Sequence, residues 1–386
     1  MQSIKEKRRQ AAALQSAFAP IILACLATLA RAAEPAASPA DAWPVFRGTA
    51  NATGVAGGTL PEKPELLWTF APEGQKFVAT AAIANETVFI GANSGPFYAI
   101  DLKTGKKRWQ FVGQIGFLAS AAVRQGRVYV GDKDGNFFCL DAASGKLLWK
   151  FISDGEIDSS ANFIGDRVLF GSEDSYVYCL DSAGGKLVWK YETTDQVRSF
   201  PSIVGDRGFV AGCDMSLHVL DLDKGTAISK IFMESPTGSA AAVVGDRAYV
   251  GNEDNNFLAI DLAKGAIAWR YVNRPLASAF RSSAAVTDDA VYVGSRDRSL
   301  HAFDPRSGRP LWEFATKQMV DSSPVVVGDR IFFGSYDGRV YGLDRHSGKE
   351  VWRFEAGGKV SASPAVASGR LVIGTESGNL YCFGKK

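Results

Sequence analysis

Residues 322–354 read SSPVVVGDRIFFGSYDGRVYGLDRHSGKEVWRF, and this stretch decides the fold. Ser322-Ser323-Pro324-Val325-Val326-Val327 is a short β-branched run, and Gly328-Asp329-Arg330 is a turn. Ile331 to Gly334 forms a second run. Tyr336-Asp337-Gly338-Arg339 is a hairpin turn of the Asp-Gly kind, where a positive φ is wanted. Val340 to Asp344 follows, then Arg345-His346-Ser347-Gly348, then Glu350 to Phe354. Four short strands and three tight turns with no helical period describe one antiparallel unit.

The unit recurs along the chain. A β-run ending in glycine marks each copy, at Gly91, Gly131, Gly171, Gly212, Gly251, Gly294, Gly334 and Gly374. The successive spacings are 40, 40, 41, 39, 43, 40 and 40, a period that suits one four-stranded propeller blade. The end of each unit reads small-x-Asp-x-x-x-Gly-x-x-x-Trp. It places tryptophans at Trp109, Trp149, Trp189, Trp269, Trp312 and Trp352. The Asp caps its own turn and the Gly tolerates positive φ. The Trp then has a large surface to bury between neighbouring blades. One copy has lost it, reading Val219…Asp221…Gly225…Ser229, and a weaker contact is expected there.

Second and third strands occur eight times, but the last copy, Leu371 to Phe383, stops before a fourth strand. The spare strand is Leu66-Leu67-Trp68-Thr69-Phe70, so Trp68 completes the set of docking tryptophans. The expected fold is all-β, an eight-bladed β-propeller of four-stranded antiparallel blades. Its last blade is closed by the N-terminal strand 66–70, which removes exposed sheet edges.

Residues 1–32 read as a signal peptide. Lys5, Lys7, Arg8 and Arg9 precede a mostly apolar run, and Ala30-Arg31-Ala32 offers a cleavage site. An uncleaved anchor is the other reading, weakened by Gln15, Ser16 and Pro20. Ile22-Leu23-Ala24-Cys25 faintly resembles a lipidation box, but the apolar run continues past Cys25. Residues 33–65 are assigned to a leader and N-terminal extension, and 66–386 to the propeller. The protein is therefore expected to be exported, periplasmic or extracellular, touching membrane only peripherally.

Net charge is +2, so no whole-molecule field draws nucleic acid, and no basic patch interleaved with aromatics is present. His218, His301 and His346 are far apart in sequence, which argues against a zinc site. Cys139, Cys179 and Cys382 share one repeat position that elsewhere holds Ala99, Val219, Ala259, Ala302 and Gly342. A position alternating among small residues is a packing site, so these thiols are expected buried and unpaired.

The position just before each innermost strand reads Val78, Leu118, Asp158, Arg198, Gly238, Arg281, Asp321 and Ser361. These residues are expected to ring one mouth of the central channel. The charged four, Asp158, Arg198, Arg281 and Asp321, form either a mixed-charge binding site or two ion pairs, Asp158–Arg198 and Arg281–Asp321. The favoured expectation is the ion pairs. Asp158-Ser159-Ser160 and Asp321-Ser322-Ser323 have no His partnered by pattern, so no nucleophilic triad is read there.

Across about residues 43 to 386, the Asp…Gly…Trp grammar resembles the pyrroloquinoline-quinone (PQQ) repeat propellers with tryptophan-docking motifs. That resemblance implies either of two branches. The quinoprotein alcohol dehydrogenase branch is enzymatic and holds PQQ with calcium. The BamB-like branch is a non-enzymatic scaffold of outer-membrane assembly. The dehydrogenases are longer and often carry a vicinal Cys-Cys pair, which is missing here, as is any Cys-x-x-Cys-His. Expected, then, is a monomeric, non-catalytic exported scaffold for a protein or peptide partner, without a cofactor. The alternatives are a small PQQ-dependent oxidoreductase and a carbohydrate-binding or envelope surface module.

Overall fold

The structure is a computed structural model and describes residues 38–113, 115–273 and 278–386. The signal-peptide reading of residues 1–32 lies outside the described residues. Among the described residues there is no helix, and the strands form eight sheets.

Each sheet holds one blade of four antiparallel strands, and in blade seven Val55–Ala56 adds a fifth, parallel strand at the inner edge. Blade one runs over 82–112, blade two over 122–152, blade three over 162–192 and blade four over 202–232. Blade five covers 242–272, blade six 285–315 and blade seven 325–355. Blade eight takes three strands from 365–384, and Glu65–Phe70 pairs onto its third strand as the fourth. The ring is thus closed by chain from both ends of the repeat.

Alternation explains the packing. The second and third strands of each blade are buried on both faces, which is why they read as near-continuous apolar runs. The fourth strand alternates, exposing every other side chain to water. Trp149 lies opposite Cys139, Trp189 opposite Cys179 and Trp352 opposite Gly342, so each indole sits beside the small residue of its own blade. Cys139, Cys179 and Cys382 are buried and free, and burial pushes the first up to about 11 and the other two to about 12.

Each indole then reaches the next blade. Trp109 Nε1 donates to the Ala142 carbonyl at 3.0 Å, Trp189 to Leu222 at 3.0 Å and Trp312 to Arg345 at 3.0 Å. Its ring packs flat on the turn glycine, where a Cβ at Gly145 would come within 2.5 Å of Trp109. That glycine also has φ +73, so two constraints fix it at once.

Candidate functional site

The central channel is lined by the innermost strand of each blade, and its two ends differ. One end is closed by residues 38–56. Trp43 exchanges backbone hydrogen bonds with Ile83 of blade one, and Val123 N–H of blade two donates to the Pro44 carbonyl. Asn162 Nδ2 of blade three and Ile203 N–H of blade four both donate to the Ala50 carbonyl. Val243, Val286 and Val326 N–H groups of blades five, six and seven donate to Asn51, Thr53 and Gly54. Ser368 N–H of blade eight donates to Ala40. Every blade therefore anchors this one segment. The stretch assigned from sequence to a leader and extension is, from Ser38 onward, built into the propeller.

Trp43 and Arg47 are the large side chains of this floor, and both are wholly buried. Arg47 Nη2 donates to the carbonyls of Ala284, at 3.2 Å, and Pro324. Burial pulls the Arg47 guanidinium down to about 9, so it stays charged at neutral pH. Phe46 faces the channel and meets Phe200 edge to face at 5.8 Å.

Above the floor runs a belt of hydroxyls. Ser120 Oγ accepts from Thr80 N–H at 3.0 Å, and Ser160 Oγ from Ser120 N–H at 2.9 Å. Ser283, Ser323 and Ser363 repeat the contact on blades six to eight, at 3.0, 2.9 and 2.9 Å. Each serine staples its blade to the one before. These hydroxyls accept from backbone and so tie neighbouring blades together.

At the open end lies a cavity of about 300 Å³ lined by Val78, Leu118, Asp158, Arg198, Arg281 and Asp321. The structure therefore brings together the four charged residues singled out from sequence. It does not pair them as expected. Arg198 Nε meets Glu173 at 2.7 Å, and Arg281 grips Glu253 with contacts of 2.8, 3.1 and 2.9 Å. Asp321 takes a two-point contact from Arg296, at 3.0 and 2.7 Å, and a hydroxyl from Tyr336 at 3.1 Å. The Asp158–Arg198 and Arg281–Asp321 pairs do not form.

The reason is geometric. The residue two places after each repeated glycine forms a second ring, and it reaches the inner-strand residue of the following blade. Glu173 (after Gly171) serves Arg198, Glu253 (after Gly251) serves Arg281, and Arg296 (after Gly294) serves Asp321. By the same rule Asp158 belongs to Lys133, but Lys133 Nζ donates to Asn93 at 3.3 Å. Asp158 Oδ1 is left buried with no hydrogen-bond partner. Burial first, then the charges of Glu173 and Glu156, raise its carboxyl to about 6. Carboxylate oxygens of Glu156, Asp158 and Glu173 lie within 4.8 Å of one another, a spacing that admits a cation.

A planar tricarboxylate such as PQQ calls for free cations and a flat face to lie against. Here both mouth arginines are already held by glutamates. Phe46 and Phe200, the rings lining the cavity among the described residues, meet edge on. The residues fit that group poorly.

Fold and site together define an eight-bladed repeat propeller whose axis is a blind cup, closed below by its own chain and open above at a charged rim. The chain belongs to the PQQ_2 family, described as outer membrane protein assembly factor BamB, whose profile matches residues 139–275, 173–339 and 259–386. No curated protein matches the chain. Among solved structures it is similar to BamB from Moraxella catarrhalis, with 20% identity over 84% of this chain and 98% of that one, at a TM-score of 0.69. It is also similar to the quinohemoprotein alcohol dehydrogenase of Comamonas testosteroni, with 16% identity over 90% and 81% and a TM-score of 0.75. A computationally designed protein, Ika8, shares 17% identity over 82% and 98%, at a TM-score of 0.72. At these identities the likeness is one of fold.

Proposed function

We propose that the protein is an exported, non-catalytic scaffold whose open channel mouth grips a protein or peptide partner in the cell envelope. The observation that carries the reading is the asymmetry of the cup. Its floor is bonded to every blade, whereas its rim presents Arg198 and Arg281, each about half exposed, beside an Asp158 with a buried unpartnered oxygen. A rim of both signs suits a polypeptide, which carries both, better than a uniformly charged ligand. Family membership supports the scaffold role, and residues 1–32 support export.

The test is capture from envelope extract by the mature protein, with partners identified by mass spectrometry. The triple variant Asp158→Ala, Arg198→Ala, Arg281→Ala is expected to lose the partner that the parent retains. Equal capture by both would remove the mouth from the reading.

Although the mouth arginines and rings fit PQQ poorly, the acidic trio Glu156, Asp158 and Glu173 could hold a cation, and with the dehydrogenase-like fold it is the observation behind one other reading, a small quinoprotein oxidoreductase. Titration with PQQ and calcium, followed by absorbance and melting temperature together, separates the two. A saturable spectral change with a rise in melting temperature would favour the enzyme.

A further inference from the structure

Seven of the eight blade junctions are closed by one device. At each, an indole from one blade donates its N–H to a backbone carbonyl of the next, and at six of the seven, all but that of Trp352, the ring also lies on the turn glycine of the next blade. The carbonyls are those of Leu102, Ala142, Ser182, Leu222, Pro305, Arg345 and Pro64, serving Trp68, Trp109, Trp149, Trp189, Trp269, Trp312 and Trp352 in turn. The junction between blades four and five lacks it.

Three donors are missing at that junction. Ser229 stands where the indole belongs. Phe209 occupies the position from which Tyr129, Tyr249 and Tyr292 send a hydroxyl to the equivalent carbonyl. Arg207 lies over the Phe209 ring at 5.8 Å, whereas Arg167 one blade earlier donates to Leu222 at 3.1 Å. Among the described residues, no hydrogen bond reaches the Leu262 carbonyl. The glycine reports the same vacancy. A Cβ at Gly265 would meet nothing within 4 Å, whereas at Gly145, Gly185, Gly225 and Gly308 it would strike an indole at 2.5 Å. Leu262 is correspondingly half-buried, while Leu222 is fully buried under Trp189.

We propose that this vacant slot is a binding site for the indole of a tryptophan on a partner polypeptide, stacked on Gly265 and donating its N–H to the Leu262 carbonyl. The seven filled junctions show what the slot holds. The chain cannot fill it itself: of its eight tryptophans seven occupy junctions and the eighth, Trp43, is wholly buried in the channel floor. A second copy has none to spare for the same reason. A phenylalanine would cover the glycine but leave the carbonyl without a donor. The slot lies on the outer, fourth-strand side of the blades, so it is independent of the channel mouth.

The probe is N-acetyl-5-fluorotryptophanamide, titrated into the mature protein and followed by fluorine NMR. A saturable shift at one site per chain is expected, retained in Ser229→Ala and lost in Ser229→Trp, which fills the slot from within. The N1-methyl analogue, lacking the donor, is expected to bind at least about fivefold more weakly. No saturable shift up to about 10 mM, an unchanged shift in Ser229→Trp, or equal binding of the methylated analogue would overturn the proposal. Should Ser229→Trp not fold, Trp189→Ser opens the equivalent slot one blade earlier, and stoichiometry is then expected to rise to two. A stoichiometry that stays at one would overturn it as well.

Discussion

At the floor of the channel the eight inner strands end against residues 38–56, and each donates to or pairs with that segment. At the mouth the positions just before the same strands place Val78, Leu118, Asp158, Arg198, Gly238, Arg281 and Asp321 around an open cavity. The floor buries a tryptophan and an arginine completely, whereas the mouth leaves two arginines about half in water. The difference separates two duties of one channel. A buried end bonded through its backbone to every blade fixes the ring, even though Trp43 Nε1 and Arg47 Nε and Nη1 find no partner there, and an exposed end is free to meet something else.

The largest effect is expected at the floor. Trp43→Ala removes an indole wholly buried against Gly48 and the blade-one strand, and about 3–5 kcal/mol of stability should go with it. Denaturant unfolding of the protein measures this. A loss below about 1 kcal/mol would mean that the floor hangs on the ring without bracing it.

Gly54→Ala attacks the same end through the backbone. Gly54 has φ +67, and a Cβ there would lie 1.9 Å from Arg47 Nη2. Either the turn or the buried guanidinium must move, so a cost of about 2 kcal/mol is expected, read as a shifted denaturation midpoint. The mouth is untouched by this change. Partner capture by the folded fraction should survive it, and loss of capture would tie the two ends together.

The ring was legible in sequence because it repeats. Eight copies of one pattern expose the period, the turns and the docking tryptophans, and the missing fourth strand pointed to Leu66–Phe70. The floor was not legible for the converse reason. Residues 38–56 occur once and are mostly small or turn-forming, so no period marks them. Trp43 and Arg47 were the available signs that such a stretch goes inside. The mouth was half legible. The repeat placed Asp158, Arg198, Arg281 and Asp321 in one ring, but a ring of neighbours invites pairing within itself. The partners instead stand two residues after the repeated glycine, at Glu173, Glu253 and Arg296, a position the same repeat contains.

A smaller effect of opposite sign is expected at Asp158. Its folded carboxyl is raised to about 6, above the usual unfolded value of about 3.9, so the folded state binds the extra proton between those values. Stability should therefore fall as pH rises from about 4 to 6 and stay lower above that. Asp158→Asn removes the burden. It is expected to stabilise the protein by about 1–2 kcal/mol at pH 7.5 and by almost nothing near pH 4. Melting curves of both proteins at the two pH values check this. An equal gain at both would assign the effect to packing instead of charge.

The smallest effect is expected where the mouth is already paired. Arg281 and Glu253 make a two-point contact, yet both side chains are over a third exposed. Exposed pairs contribute little because water screens them and both chains lose freedom, so Arg281→Ala should cost less than about 1 kcal/mol, and less still at high salt. Partner capture is the contrasting readout. If the mouth is the end that recognises, Arg281→Ala should weaken capture far beyond its effect on stability, whereas Trp43→Ala should do the reverse. A variant pair that moved both readouts in proportion would erase the division between the two ends, and the cup would then have to be treated as one structural unit.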